Sequence, residues 1–160
     1  MTAAEYNKCV DDYADSIFRF IVKNLRNEDV ARDVVQDTFE KLWIKVSTIE
    51  VATVKSYLFT TAYHTMIDAI RKAKPSAELE DAASVYAPHN QYSDLKGVLN
   101  RALNKLPEEQ RSVVLLRDYE GYSYEEIGQI TGLSESQVKV YIYRARVFLK
   151  SYLVDLDSVI

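Results

Sequence analysis

Basic side chains are concentrated in residues 134–150, where four of them accompany a single acid and give a formal charge of +3. Lysine and arginine hydrogen-bond phosphates and purine edges, which is the chemistry of nucleic-acid binding. Lys139 or Gln137 could hydrogen-bond a purine edge, and Val140 could pack on a thymine methyl. Three further cations are placed to hold phosphates: Arg144, Arg146 and Lys150.

Helical spacing divides this stretch into an inward and an outward side. Val138, Ile142, Ala145 and Leu149 recur every three or four residues and predict the side that faces the protein core. At about 100° per residue, the opposite side is the one that DNA would meet. The side chains expected on or beside it are Glu135, Ser136, Gln137, Lys139, Val140, Tyr143, Arg144 and Val147.

Two helix-start signatures in tandem position these side chains. Residues 123–126 and 134–137 each begin with serine and end with Glu or Gln, which is the capping-box pattern. Gly132 between them tolerates the left-handed conformation that ends a helix. The pattern predicts a helix-turn-helix, whose second helix fits a DNA major groove. A helix pair that serves only packing is the alternative.

The composition limits the class of protein. The 160 residues are 48% hydrophobic and 28% charged, as in a globular protein, and they contain no apolar run of membrane-spanning length. The first residues lack the pattern of a secretion signal, so we expect a cytoplasmic protein. The net charge of -4 argues against a protein that coats DNA by itself. This net charge favours a component of a larger assembly that binds DNA.

The sequence offers few residues for an active site. His64, His89 and the single cysteine Cys9 do not make a usual structural zinc site, and there is no glycine-rich phosphate loop. Cys9 lies in an amphipathic pattern and is expected to be a packed thiol. We therefore predict a binding protein rather than an enzyme, with no cofactor, no metal and no small-molecule substrate.

Scarce glycine and proline predict an all-α fold of two small helical domains. Helices are expected at about 4–25, 28–47 and 53–73, and these would form an N-terminal bundle. Asn27 is the expected cap of the second helix. Residues 74–93 contain two prolines and a charge of -2, which predicts a flexible linker.

A four-helix domain is expected at residues 94–153, where the helical spacing of apolar residues resumes. Pro107 would occupy the first position of its second helix.

One face of the second predicted helix is acidic. Asp33, Gln36 and Asp37 are spaced at i, i+3 and i+4, so they share that face, and residues 28–40 carry a charge of -4. Such a surface suits a basic partner. An ordinary solvated helix face is the alternative.

The third predicted helix combines cations with aromatic rings, and residues 55–74 carry a charge of +3. Proteins that hold single strands stack aromatic rings on unpaired bases and follow the backbone with cations. About half of these rings are expected to belong to the core instead. The residues concerned are Lys55, Tyr57, Phe59, Tyr63, His64, Arg71, Lys72 and Lys74.

The order of these features resembles a sigma factor of the extracytoplasmic-function (ECF) type, the smallest class of bacterial RNA polymerase specificity subunits in the sigma-70 family. Residues 29–43, 57–71 and 106–146 carry the resemblance. It implies that residues 1–73 are sigma region 2 and residues 94–153 are sigma region 4.

The resemblance also implies roles for individual residues. Asp33, Gln36 and Asp37 match the motif that docks on the coiled coil of the polymerase's largest subunit. The loop at 48–53 and the helix after it match the part that captures a flipped base of the promoter's -10 element and helps to open the duplex. The residues assigned to that task are Lys55, Tyr57, Tyr63, His64, Arg71 and Lys72.

The predicted recognition helix matches the helix that reads the -35 element. The residues assigned to it are Ser134, Glu135, Ser136, Gln137, Lys139, Val140, Tyr143, Arg144 and Arg146. The family often has an Arg-Asn pair where this chain has Tyr63 and His64, and a polar or basic pair where it has Val140 and Tyr141. The resemblance further implies an anti-sigma factor, linked to the membrane, as a partner.

Two other hypotheses predict different behaviour. A free-standing helix-turn-helix regulator would bind a specific duplex alone, and a dimer with two half-sites would support it. A helical interaction protein that does not bind DNA would keep its activity when Lys139 and Arg144 are changed to alanine.

Overall fold

The computed structural model describes residues 1–73 and 94–159, and within these residues all regular secondary structure is helical. The predicted all-α fold with two small helical domains is confirmed. The first compact unit contains residues 1–73, and the second contains most of residues 94–159. The predicted linker at 74–93, with Lys74 and His89, lies outside the described residues.

Three helices that pack against one another form the N-terminal unit. Their bounds are Ala3–Leu25 for α1, Glu28–Ile44 for α2 and Val54–Ala73 for α3, which follows a single 3₁₀ turn at Val51–Thr53. The predicted end of the second helix at residue 47 is wrong. Both the backbone N–H and the hydroxyl of Thr48 donate to the Lys45 carbonyl, at 2.9 and 3.0 Å, and turn the chain there.

Local side-chain chemistry explains where α1 and α2 meet. Arg26 adopts a left-handed conformation with φ of 57° and ends α1. Asn27 then accepts a hydrogen bond of 3.1 Å from the Val30 N–H, as predicted for the cap of α2. Such a cap contributes about 1 kcal/mol because it satisfies an N–H that lacks a partner within the helix.

Apolar side chains of all three helices meet in the core of this unit. Phe20 of α1 lies 5.8 Å from Phe59 of α3 between ring centroids, and Leu42 of α2 is fully buried. Burying a side chain of this size stabilises the unit by about 1.5–3 kcal/mol. Cys9 of α1 is buried, and its burial raises the pKa of the thiol. The prediction of a packed thiol is confirmed.

Residues 94–159 of the described chain form four helices of the second unit. Their bounds are Asp94–Lys105 for α4, Glu108–Val114 for α5, Tyr124–Thr131 for α6 and Glu135–Val159 for α7. Helix α5 continues into one turn of π-helix at Leu115–Tyr119. Helix α7 packs on α5 and α4 and runs past the predicted domain end at residue 153.

Pro107 was predicted at the first position of α5, but it occupies the cap position just before the helix. Its ψ of 147° is extended, and the helix begins at Glu108. Glu108 and Glu109 occupy the first turn, where their negative charges interact favourably with the positive end of the helix dipole.

Candidate nucleic-acid and protein interfaces

Two reciprocal capping boxes build the corner between α6 and α7. The Glu126 N–H donates to Ser123 Oγ at 3.1 Å, and the Ser123 N–H donates to Glu126 Oε1 at 2.9 Å. The pair Ser134 and Gln137 repeats this arrangement at the start of α7, with distances of 3.1 and 3.0 Å. Both predicted helix starts are therefore confirmed at the level of individual hydrogen bonds.

Two glycines allow the chain to turn between these helices. Gly132 has a φ of +80°, the left-handed conformation that was predicted for it. Gly128 is needed for close approach, since a Cβ atom there would lie 2.9 Å from the Leu133 carbonyl oxygen. The predicted helix-turn-helix is present.

Helix α7 turns its polar side outward. Val138, Ile142 and Ala145 are buried, as the spacing predicted, and Leu149 is half-buried. Tyr143 is 70% exposed, and it forms an apolar part of the outward side together with other exposed apolar residues. Every residue assigned to -35 recognition is exposed: Ser134, Glu135, Ser136, Gln137, Lys139, Val140, Tyr143, Arg144 and Arg146.

Several cations of this surface have intramolecular partners. Arg146 binds Asp118 of the π-helical turn through two hydrogen bonds, one of them 3.2 Å from Nε to Oδ2. The Asp118 carboxylate is the main cause that raises the pKa of the Arg146 guanidinium. Lys139 lies 3.6 Å from Glu135 and 5.7 Å from the ring centroid of Tyr124. Both cations therefore have partners within the chain itself.

Arg117 belongs to the same surface and was missed by the sequence reasoning. Its guanidinium carbon lies 4.8 Å from the Tyr124 ring centroid, and its Nη1 donates to the Tyr122 carbonyl at 2.8 Å. The available sequence signal was a cation at the end of the buried run Val113–Leu116, just before the helix-turn-helix. That signal does not indicate which way the side chain points.

The predicted acidic face lies on the outer side of α2. Asp33, Gln36 and Asp37 are exposed, while Val34 beneath them is buried. Arg32, the one cation in residues 28–40, pairs with Glu28 and Asp29 at 3.2 and 3.1 Å. Its charge therefore offsets the acids of the first turn and leaves Asp33 and Asp37 to dominate the next turn.

A surface groove of about 360 Å³ lies between parts of α2 and α3 in the N-terminal unit. It brings together Tyr57 and His64 from the predicted strand-binding set, with Tyr57 half-buried and His64 exposed. The rest of its lining comprises Lys41, Ile44, Lys45, Thr60, Thr61, Thr65 and Asp68. The lysines come from α2 and its end, so the periodicity of α3 could not identify them.

One hydrogen-bond chain crosses this groove. Lys41 Nζ donates to Thr65 Oγ1 at 3.0 Å, and Thr65 Oγ1 donates to the Thr61 carbonyl at 2.7 Å. A second cavity of about 260 Å³ is lined by Lys41 and Thr65 as well, together with Asp33, Asp37 and Lys72. The acidic face and the groove are therefore neighbours that share Lys41.

The assignment of Tyr63 to strand binding requires correction. Its side chain is only 6% exposed, so its ring belongs to the core and offers no free face for stacking on a base. Phe59 is also buried, in agreement with the prediction that about half of these rings are core. Lys55, Arg71 and Lys72 are exposed, but they do not line the 360 Å³ groove.

The two units correspond to two regions of one protein family. Residues 9–76 match the family model of sigma-70 region 2, and residues 96–149 match that of sigma-70 region 4. The chain belongs to the sigma-70 family. The two matches follow the order predicted from the sequence.

Relatives in this family have similar sequences along most of the chain. RNA polymerase sigma factor SigV of Bacillus subtilis is 29% identical over 151 residues, which cover 93% of this chain and 91% of the relative. ECF RNA polymerase sigma factor SigE of Mycolicibacterium smegmatis is 32% identical over 96% of this chain and 63% of its own length. The predicted membership of the ECF sigma factors is confirmed.

A solved structure also matches the fold. The sigma factor RpoE of Bartonella quintana, in complex with the anti-sigma factor NepR, superimposes with a TM-score of 0.75 and 29% identity. The match covers 92% of this chain and 96% of that chain. In the part of the chain that the structure describes, no helix is long and apolar enough to cross a membrane.

Proposed function

We propose that this chain is an alternative sigma factor, a subunit that joins core RNA polymerase and directs it to a particular class of promoters. One observation carries the proposal: a doubly capped helix-turn-helix exposes a basic, polar surface, in a chain whose other unit exposes an acidic one. The two surfaces suit two different partners, one nucleic acid and one protein. The polymerase supplies the chemistry of RNA synthesis, and this chain supplies recognition.

The acidic face docks on the coiled coil of the polymerase's largest subunit. Asp33, Gln36 and Asp37 are exposed on adjacent turns of a rigid helix, so a second helix with basic side chains could lie along them. Charge complementarity of this kind speeds association and fixes the orientation of the partner.

Helix α7 reads the -35 element in the major groove. Its first turns carry Gln137 and Lys139 for hydrogen bonds to base edges, and Val140 for contact with a thymine methyl. Arg144 lies one turn further on and holds a phosphate. The bidentate bond between Arg146 and Asp118 joins α7 to the π-helical turn, and Arg146 adds positive charge beside the duplex.

The groove between α2 and α3 holds an unpaired strand of the -10 element. Tyr57 offers a partly exposed ring for stacking, and Lys41 and Lys45 place positive charge beside it for the backbone. His64 and the two threonines of the lining supply polar groups that can contact base edges. Lys55, Arg71 and Lys72 extend the positive charge of α3 beyond the groove.

The net charge of -4 agrees with this division of labour. Non-specific affinity for DNA comes mainly from neutralised phosphates, and an acidic chain neutralises few of them. In the holoenzyme the polymerase contributes those contacts, so this chain needs only a local positive charge where it meets the promoter. We place this work in the cytoplasm.

An anti-sigma factor is a further partner that we propose. The supporting observation is the similarity of this chain to the sigma factor RpoE, whose solved structure contains the anti-sigma factor NepR. A membrane link of the inhibitor is part of the same proposal.

Run-off transcription with purified core polymerase tests the proposal. The template pool is a genomic promoter library, and the variant carries Asp33→Lys and Asp37→Lys. Because like charges opposed across an interface cost several kcal/mol, we expect assembly to weaken at least about a hundredfold. Run-off product should fall accordingly.

The matched control carries Asp11→Lys and Asp15→Lys on α1. These residues are also exposed acids at i and i+4, so the net charge and the spacing of the change are identical. The control should retain run-off activity. Equal activity of both variants would remove the docking proposal. A specific duplex footprint by the chain alone, with no response to core polymerase, would favour the free-standing regulator instead.

A further inference from the structure

Tyr124, the first residue of α6, lies between two elements that carry cations. Its ring centroid is 4.8 Å from the guanidinium carbon of Arg117 in the π-helical turn, and 5.7 Å from Nζ of Lys139 in α7. Cations within about 6 Å of an aromatic ring are attracted by its electron-rich face. One half-buried ring therefore contacts cations from two separate parts of the unit.

The two cations differ in how firmly they are held without the ring. Arg117 also donates to the Tyr122 carbonyl at 2.8 Å, a bond within its own loop. Lys139 has Glu135 at 3.6 Å, one turn earlier on the same helix. The Lys139 ammonium is thus shared between a carboxylate and the ring of Tyr124. Without the ring, Glu135 would draw it along the helix axis.

Arg146 is a third cation beside Tyr124, in addition to Arg117 and Lys139. The Tyr124 hydroxyl lies near Arg146. It raises the pKa of the Arg146 guanidinium, as Asp118 does, but to a smaller extent. Asp118 is occupied by Arg146, so it does not neutralise Arg117 or Lys139. The attraction of the ring for Arg117 and Lys139 offsets part of the repulsion between like charges.

We propose that Tyr124 is a positioning residue for the DNA-reading side of α7. Its ring holds Lys139 against the pull of Glu135, so that Lys139 meets the promoter duplex already ordered. A side chain ordered beforehand loses less freedom on binding, which strengthens the complex without a new contact. The inference rests on the proposed -35 role of α7, and it adds a residue that acts through another.

Three full-length variants, each assembled with core polymerase, test this role. Tyr124→Leu removes the ring, and Tyr124→Phe keeps the ring without its hydroxyl. Tyr152→Leu is the matched control, because Tyr152 also has a lysine over its ring, Lys105 at 5.5 Å. Tyr152 lies about 20 Å from Lys139 along α7. The probe is a fluorescent promoter duplex that the wild-type holoenzyme selects from a genomic library. Binding is measured for this duplex and for duplexes that each carry one substituted base pair in the -35 element.

We expect Tyr124→Leu to bind the selected duplex roughly three- to tenfold more weakly and to discriminate less at the base pair that Lys139 contacts. Tyr124→Phe and Tyr152→Leu should keep the wild-type affinity and discrimination. A merely structural role of Tyr124 would lower the active fraction or the melting temperature without changing the discrimination.

Two outcomes would overturn the inference alone. One is a Tyr124→Leu holoenzyme with the wild-type affinity and discrimination, and the other is a Tyr124→Phe holoenzyme as weak as Tyr124→Leu. A wild-type holoenzyme that selects no duplex would overturn the proposed function, and this inference with it.

Discussion

Gly132→Ala tests the corner on which the recognition helix depends. Gly132 has a φ of +80°, and a Cβ atom at this position would have no other atom within 4 Å. The cost of the substitution is therefore conformational, without a steric clash. Placing an L-residue with a Cβ atom in the left-handed region costs about 1–2 kcal/mol. For a domain of roughly 60 to 100 residues, each kcal/mol lowers the melting temperature by about 4–8 °C.

Differential scanning calorimetry of the full chain measures this change, since it can separate the transitions of two units. Gly97→Ala in α4 is the matched control, because the same methyl group is added in a helix. Its Cβ would lie 3.4 Å from Nη1 of Arg101, the far end of a flexible side chain. We expect this control to stabilise the unit by roughly 0.5–1 kcal/mol, because alanine has less backbone freedom to lose on folding.

The two substitutions should shift the melting temperature in opposite directions. Gly132→Ala should also weaken promoter binding if the corner no longer places α7, whereas Gly97→Ala should leave binding as it is. A Gly132→Ala protein that melts at the wild-type temperature, while Gly97→Ala raises it, would show that the left-handed corner is absent in solution.

Two further predictions concern single side chains. Ser134→Ala should destabilise the second unit by about 1 kcal/mol, because the Gln137 N–H loses its acceptor at 3.1 Å. Ser136→Ala, the same change at an exposed serine inside α7, is the comparison in the same melting experiment, and equal losses would contradict the capping argument. The Cys9 thiol, whose pKa is raised by burial, should react with an alkylating reagent more slowly in the folded chain than in urea, and equal rates at the same pH would refute its burial. Because the folded-state pKa is the higher one, the stability that this thiol contributes is present below its ordinary pKa and is lost as the pH rises through the folded-state pKa.

Sequence patterns were sufficient where the physical cause is local. A serine and a Glu or Gln three residues later satisfy each other's backbone groups within a single turn, so both capping boxes could be predicted from residues 123–137. Helical spacing likewise assigned Val138 and Ile142 to the core and Tyr143 to the surface. The acidic face of α2 follows from three residues on adjacent turns.

Tertiary structure decided everything that depends on which helix lies opposite. The mixture of cations and rings in α3 predicted the same role for Tyr57 and Tyr63, but the packed unit buries Tyr63 and leaves Tyr57 at the edge of a groove. Lys41 reaches Thr65 across 24 positions of sequence, and Arg146 reaches Asp118 across 28. Contacts of this kind depend on the relative placement of helices, which no local pattern contains. The sequence by itself therefore determined the helices, their caps and the sign of each surface, while folding determined which of those side chains are free to bind.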